Sequence, residues 1–416
     1  MSQPPLPCTL AGRLFPAFVV LSLCSIPLIS AIAPRFLAFA PGVIGLGGLV
    51  LYRLSRAQWP AFSKSLTLWY CGIVGLCALS TLWAVGGSET LIRALRIGFV
   101  LFSGLMVLGL LTSETLRTPV QRLFIQLFPF ACMLGMSITL LDLYANGPVY
   151  DLFHESDPEP LNLSRLNRSI VSHVFMVFPA LWCVRQTFWS PVKQGGILGL
   201  LALFTIALLY KTESQSAQLS FIIGAAFFVL FPVRFTPAWT ALKSLIITGM
   251  LGAPWIAQYM FAVLASGAKH STWLSRGYAS DRMEIWDFIA RKALENPFYG
   301  FGLEATRDIP HFETQMLYNP LDHVLHPHNF VLQIWIEFGV LGIVTGAGFF
   351  VFILQTLQKQ KPPFQRLSLG LFMAAFGSAA ISYGLWQGWW LGLFILLALY
   401  IRILEPSEKP SAPLPS

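Results

Sequence analysis

The sequence predicts an all-α polytopic membrane protein, with about twelve transmembrane helices and one long outer loop containing short amphipathic helices. Three observations predict it. The 416 residues are 55% hydrophobic and only 11% charged, where soluble domains carry about 25% charged residues. Apolar runs near the ~20 residues that cross a bilayer recur along the whole chain. The short connections between those runs alternate in charge, as the loops of a multi-pass protein do.

Twelve spans follow in order: roughly 13–33, 36–52, 66–84, 94–112, 123–144, 169–184, 195–210, 217–232, 244–265, 329–354, 367–385 and 388–403. The first begins near Arg13, has no clear cleavage pattern and is followed at once by a second span, so it reads as a retained helix. One set of connections carries Arg53, Arg56 and Lys64; Arg117 and Arg122; Arg185 and Lys193; Arg234 and Lys243; Lys359, Lys361 and Arg366. The positive-inside bias puts these loops and both termini in the cytoplasm. The expected organisation is residues 1–265 as nine helices with short loops, 266–328 as an outer loop, 329–403 as three more helices, and 404–416 as a disordered Pro/Ser-rich tail.

Basic cytoplasmic loops account for much of the net charge of +8, so no nucleic-acid partner is implied. Six cysteines, Cys8, Cys24, Cys71, Cys77, Cys132 and Cys183, show no ligand spacing and read as small core residues. No metal and no cofactor is expected.

Two segments break the short-loop pattern, and both fall outside: 145–168, ending "LNLSRLNRS", and the much longer 266–328. Chemistry is expected there, since long loops carry function. Within the second, "SDRMEIWDFIARKALENP" predicts an amphipathic helix along the membrane surface. Asp281 is its expected cap, with Glu284 completing a capping box. Met283, Trp286, Ile289, Ala290, Ala293 and Leu294 line one face, and Asn296-Pro297 stops the helix. Arg282 stands in the first turn, where it is either offset by Asp281 and Glu284 or converges with free helix N–H groups on an anion.

"HPHNFVLQIWIEFGVLG", residues 326–342, places imidazoles at the mouth of an apolar helix. Asn329 is a good N-cap. Gly339 and Gly342 share a face with Leu332 and Trp335 and permit close helix approach. Glu337 lies about 12 Å below the cap. An acid at that depth faces the protein interior, either as a hydrogen-bond partner of a neighbouring helix or as a proton carrier. His328, at the boundary beside a helix N-terminus, is either a polar cap or a base acting on a hydroxyl near an anion. A zinc site of Asp322, His323, His326 and His328 matches no standard metal motif.

This stretch resembles the signature of bacterial O-antigen ligases, a His-Asn pair, nine residues, then Gly-x-x-Gly, met here by His328, Asn329, Gly339 and Gly342. The upstream 280–305 segment is similar to the family's Arg…Trp…Pro-x-x-Gly-x-Gly pattern, and "LSTLWA" at 79–84 is similar to its Ser-x-x-Trp-Ser signal. The specific overlap covers about 280–342. The resemblance implies an inverting, metal-independent glycosyltransferase of the bacterial inner membrane. It would move a glycan from undecaprenyl diphosphate to lipid A–core at the periplasmic face, with His328 as base and Arg282 holding the diphosphate. One position departs from the family. Where a second arginine is usual, Gln215 stands, which hydrogen-bonds but cannot neutralise phosphate. Lys211, Arg168 and Arg276 are the cations the sequence offers instead, and Arg93 and Arg96 are further external ones.

The alternative reading is an O-antigen polymerase, or a protein O-oligosaccharide transferase of the same superfamily, differing in acceptor. A secondary transporter with Glu337 as proton site is a third class. It commonly brings internal repeats and helices broken at mid-membrane, and neither is legible in the sequence.

Overall fold

The structure is a computed structural model. It describes residues 10–56, 59–154, 161–271, 274–275, 278–309 and 325–406. Of the expected site residues, Arg276 lies outside them, as do Asp322, His323, Cys8 and the tail from 407 on.

Fourteen α-helices and no strand occur among the described residues: α1 (Leu10–Ile32), α2 (Ala40–Arg56), α3 (Lys64–Leu79), α4 (Glu89–Leu110), α5 (Glu114–Ala145), α6 (Pro148–Phe153), α7 (Asn167–Gln186), α8 (Pro191–Lys211), α9 (Gln215–Leu230), α10 (Thr236–His270), α11 (Ala279–Glu295), α12 (Phe330–Gln358), α13 (Pro362–Ala379) and α14 (Gly388–Leu404). Each of the twelve expected spans falls on one of them. Among the described residues, eight helical stretches are long and apolar enough to cross a membrane, and α2, α9 and α14 are shorter apolar helices. The chain is an all-α polytopic membrane protein.

Local chemistry sets the helix starts. Ser63, Ser190 and Ser214 accept from the backbone N–H three residues on, at Leu66, Lys193 and Ala217. Proline opens α8, α10 and α13, where its missing N–H costs nothing. Small residues do the close packing. A side chain on Gly224 would put its Cβ 2.8 Å from that of Ala374 and 2.9 Å from the Gly370 carbonyl. At the other end of the same contact, Arg366 donates to Phe228 O and Val229 O at 3.2 and 2.9 Å. α9 and α13 are therefore antiparallel, and Gln215 stands at the same end of the bundle as Ala379. From this end, the loop end, the segment 271–329 also emerges.

The structure corrects several expectations. α10 runs 35 residues, about 52 Å at 1.5 Å per residue, far longer than the ~30 Å hydrocarbon core. Its projecting part is the floor on which α11 packs, with α12 on another side. α11 thus turns its apolar face onto helices of its own chain. Ser280 Oγ donates to Ala265 O at 2.8 Å and Met283, Trp286, Ile289, Ala290 and Ala293 are buried. No capping box forms: the N-cap is Tyr278, without a side-chain cap bond, so Asp281 lies inside the first turn and Glu284 is buried.

The expected span 367–385 ends early, α13 stopping at Ala379. Residues 380–387, "AISYGLWQ", are an irregular connection to α14.

α12 is broken. Gly339 has φ 56° and ψ −147° inside it, and the segment after α11 enters the gap. The freed N–H groups of Val340 and Leu341 donate to Pro297 O (2.7 Å) and Phe298 O (3.1 Å). The freed carbonyls of Ile336 and Glu337 accept from Phe301 N and Gly302 N, both at 2.8 Å. Four orphaned backbone groups are thereby satisfied inside the protein, the condition under which a membrane helix tolerates a break. Gly339 consequently serves this backbone approach rather than helix–helix contact. A Cβ there would lie 2.3 Å from Pro297 O. At Gly342 a Cβ would meet Phe338 and Ile334 of the same helix, at 2.5 and 2.8 Å.

Candidate active site

"LSTLWA" grips the inserted segment from the other side. Ser80 Oγ accepts from Leu303 N at 3.2 Å, Trp83 Nε1 donates to Tyr299 O at 3.1 Å, and Val85 N donates to Phe301 O at 3.1 Å. The Ser-x-x-Trp, Pro-x-x-Gly-x-Gly and Gly-x-x-Gly pieces are thus one hydrogen-bonded knot. Arg93 lies beside it and is neutralised there. It pairs with Asp308 (Nη2–Oδ1 3.2 Å), Glu304 (3.6 Å) and Glu89 (3.2 Å). These partners make it a structural cation and not a free phosphate ligand; Arg96 is exposed.

The knot fixes the turn that carries the histidines. Thr306 Oγ1 donates to Leu325 O at 3.0 Å and Trp286 Nε1 to Pro327 O at 2.8 Å. His328 then takes φ 53°, the left-handed region that non-glycine residues rarely adopt. Asn329 follows in extended conformation and caps α12, its Oδ1 accepting from Val331 N and Leu332 N at 3.0 and 3.1 Å. Capping thus engages that oxygen twice.

The connection 380–387 gathers the chemistry. Ile381 O accepts from Arg282 Nη1 at 2.7 Å. The next carbonyl, Ser382 O, bonds Nδ1 of His328. A carbonyl brings no proton, so Nδ1 carries the hydrogen and Nε2 is left as the basic nitrogen. Burial and the Arg282 charge hold the His328 imidazole below the usual histidine range. His326 stacks against it, ring centroids 4.3 Å apart. Burial, His328 and nearby arginines push His326 down to about 3. Both rings are neutral at pH 7.

Arg282 is bound to a carbonyl, which orients it without cancelling its charge. Burial lowers its pKa, a loss partly offset by Tyr383 and Asp281. Tyr383 lies within electrostatic reach of Arg282 and of Arg168. Burial raises its phenol to about 12, so it is a neutral donor. Its ring packs edge-on to Trp389 with centroids 4.8 Å apart, and the Arg168 guanidinium lies over the same indole at 5.8 Å. Arg168 Nε is buried with no hydrogen-bond partner among the described residues. The structure therefore brings His328, Arg282, Arg168, His326 and Tyr383 around one connection. Gln215 begins α9 at the same end. Lys211 is exposed and lies over Tyr144 at 5.6 Å, toward the end of α5.

Glu337 is fully buried and accepts from Gln333 Nε2 (2.8 Å) and from Trp386 Nε1 (2.5 Å). These partners lie on its own helix and on the 380–387 connection, not on a neighbouring helix. Among the described residues no cluster of three or more His, Cys, Asp or Glu could hold a metal ion, and the five cysteines there are free thiols.

Sequence reasoning missed residues 380–387 and Tyr383. The signal was the run "SYGLWQG", whose serine, tyrosine, glutamine and two glycines interrupt an otherwise apolar stretch.

A Rickettsia conorii protein named "Putative polysaccharide ligase" is 26% identical over 337 residues, covering 79% of this chain and 77% of that protein. A Rickettsia bellii protein of the same name is 25% identical over 343 residues, covering 79% and 78%. One from Rickettsia prowazekii is 29% identical over 213 residues, covering 49% and 51%. Residues 200–347, which hold α9–α11, the inserted segment 297–302, Arg282, His328 and the break in α12, match the family described as O-antigen ligase. Over that segment this polytopic chain is similar to the O-antigen ligase family.

Proposed function

We propose that the protein is an O-antigen ligase: an inverting, metal-independent glycosyltransferase that moves a glycan from undecaprenyl diphosphate to a lipid A–core hydroxyl, at the periplasmic face of the bacterial inner membrane. The observation that carries this reading is the tautomer of His328. Its Nδ1–H is spent on Ser382 O, and its ring lies within electrostatic reach of the buried Arg282. Nε2 takes the proton of the acceptor hydroxyl as that oxygen attacks the anomeric carbon. The bond from that carbon to the diphosphate oxygen breaks, and its electron pair leaves with the diphosphate.

The leaving charge requires cations. Arg282 is one. Arg168 is the second, in place of the arginine absent at Gln215, with Lys211 and Arg276 as lesser candidates. Asn329, by capping α12, holds the backbone on which His328 stands. Membrane lipids surround the twelve spans, and lipid-linked donor and acceptor both reach a site at the bilayer boundary.

The break in α12 removes one sequence argument against transport. Yet loop backbone fills the gap, and the polar groups that would meet a ligand gather at the loop end, which favours transfer. The test is the lipopolysaccharide of a deletion strain. Bare core with accumulated lipid-linked polymer is the expected result. Core bearing one repeat unit would make the protein a polymerase, and unchanged lipopolysaccharide would end both readings.

A further inference from the structure

The geometry points to Glu337 as a positioning residue for glycan transfer, acting through Gln333 and the 380–387 connection on both His328 and Arg282; this rests on the reading just given. The path is continuous. Glu337 Oε1 accepts from Gln333 Nε2 at 2.8 Å, which fixes the rotation of the Gln333 amide. Gln333 Oε1 then faces the connection and accepts from Leu385 N at 2.8 Å. Glu337 Oε2 meanwhile accepts from Trp386 Nε1 at 2.5 Å. Two adjacent residues of the connection are thereby tied to α12. Three and four positions earlier, the carbonyls of Ser382 and Ile381 hold the imidazole and the guanidinium. Ser382 Oγ, bonded to Ser378 O at 2.6 Å, ties the same turn to α13.

An acid suits this position because a carboxylate accepts from two N–H donors at once, one per oxygen. A glutamine offers one oxygen and one NH₂. At Glu337→Gln, that NH₂ would face either Gln333 Nε2 or Trp386 Nε1, donor against donor. The Gln333 amide would then lose its fixed sense, and Leu385 N its acceptor. Exchanging the two residues repairs the circuit: in Gln333→Glu/Glu337→Gln, the carboxylate at 333 accepts from Leu385 N and from the amide at 337, whose oxygen accepts from Trp386 Nε1.

The test uses full-length protein in detergent micelles and reads the site without substrate. Diethyl pyrocarbonate modifies neutral imidazoles, and mass spectrometry follows His328 with exposed His154 as internal control. Glu337→Gln should carbethoxylate at His328 several-fold faster than wild type while His154 is unchanged, and the exchanged double variant should return toward the wild-type rate. Transfer should follow, kcat falling on the single change and recovering on the exchange. A wild-type His328 rate in Glu337→Gln, or a double variant that folds as wild type without recovery, overturns the proposal. If Glu337→Gln does not accumulate in membranes, Trp386→Phe keeps the acid and removes one donor. Faster His328 modification in that variant supports the proposal and an unchanged rate overturns it. Failure of the glycosyltransferase reading would appear differently, as no transfer by wild type while the modification rates still separate the variants.

Discussion

Arg282 and His328 hang from adjacent carbonyls: the guanidinium from Ile381 O, the imidazole from Ser382 O. The two come from opposite ends of a loop, 46 positions apart in the sequence. Their alignment depends on one short connection between α13 and α14.

The first consequence is a pH dependence. Burial and Arg282 both hold His328 below the ordinary histidine value of 6.5. The basic, neutral ring therefore persists below that pH, and transfer at saturating donor should be lost only as pH falls through the depressed value. The acid limb should lie below pH 6.5. Arg282→Gln should move it upward, because the neighbouring positive charge is gone. A wild-type limb above the ordinary histidine value would remove His328 from the role of base.

Arg168 should matter as a cation. Charge-assisted contacts are worth about 1.5–3 kcal/mol, so Arg168→Ala should cost transfer about tenfold or more. Gln215→Arg in that background should recover part of the loss, since Gln215 stands at the same end of the bundle. Transfer kinetics with purified protein decide it. Full activity in Arg168→Ala would move the role to Arg276 or Lys211.

Gly339→Ala should damage the fold itself. The backbone there has φ 56°, and the added Cβ would lie 2.3 Å from Pro297 O. Left-handed strain and overpacking each cost about 1–3 kcal/mol. Thermal unfolding in detergent should show a clear loss, and membrane accumulation should fall. A melting temperature equal to wild type would contradict the break in α12.

The knot can be probed without touching the site. Ser80→Ala leaves the buried Leu303 N–H without its acceptor, at about 1–3 kcal/mol. Trp83→Phe removes the bond to Tyr299 O and keeps an aromatic ring, so about 1 kcal/mol is expected. Melting temperatures ordered wild type, Trp83→Phe, Ser80→Ala would match; no change in either would detach "LSTLWA" from the loop.

The helices were legible because bilayer crossing leaves long apolar runs, and the site histidine because polar residues at a greasy helix mouth are conspicuous. What escaped depends on partners distant in sequence. Asp281 and Glu284 have capping-box spacing, but α11 starts earlier and Glu284 is buried. Gly339 looked like a helix-packing glycine because periodicity cannot reveal that residues 297–302 supply the missing backbone bonds. Residues 380–385 read as membrane helix because isoleucine, tyrosine and leucine keep a hydropathy window apolar while the backbone turns. Arg93 looked like Arg168, an external cation, until its carboxylate neighbours were placed around it.

The repair of α12 bears on how such proteins can be recombined. Residues 297–302 sit within another element's hydrogen-bond ladder, and residues 80–85 hold them there. The long loop is therefore not an interchangeable cassette. A chimera that takes residues 271–328 from a relative, leaving α12 and the 80–85 turn behind, would have to match five backbone bonds and the close approaches at Gly300, Gly302 and Gly339 by chance. Donor or acceptor preference is more safely transplanted by exchanging the three stretches together.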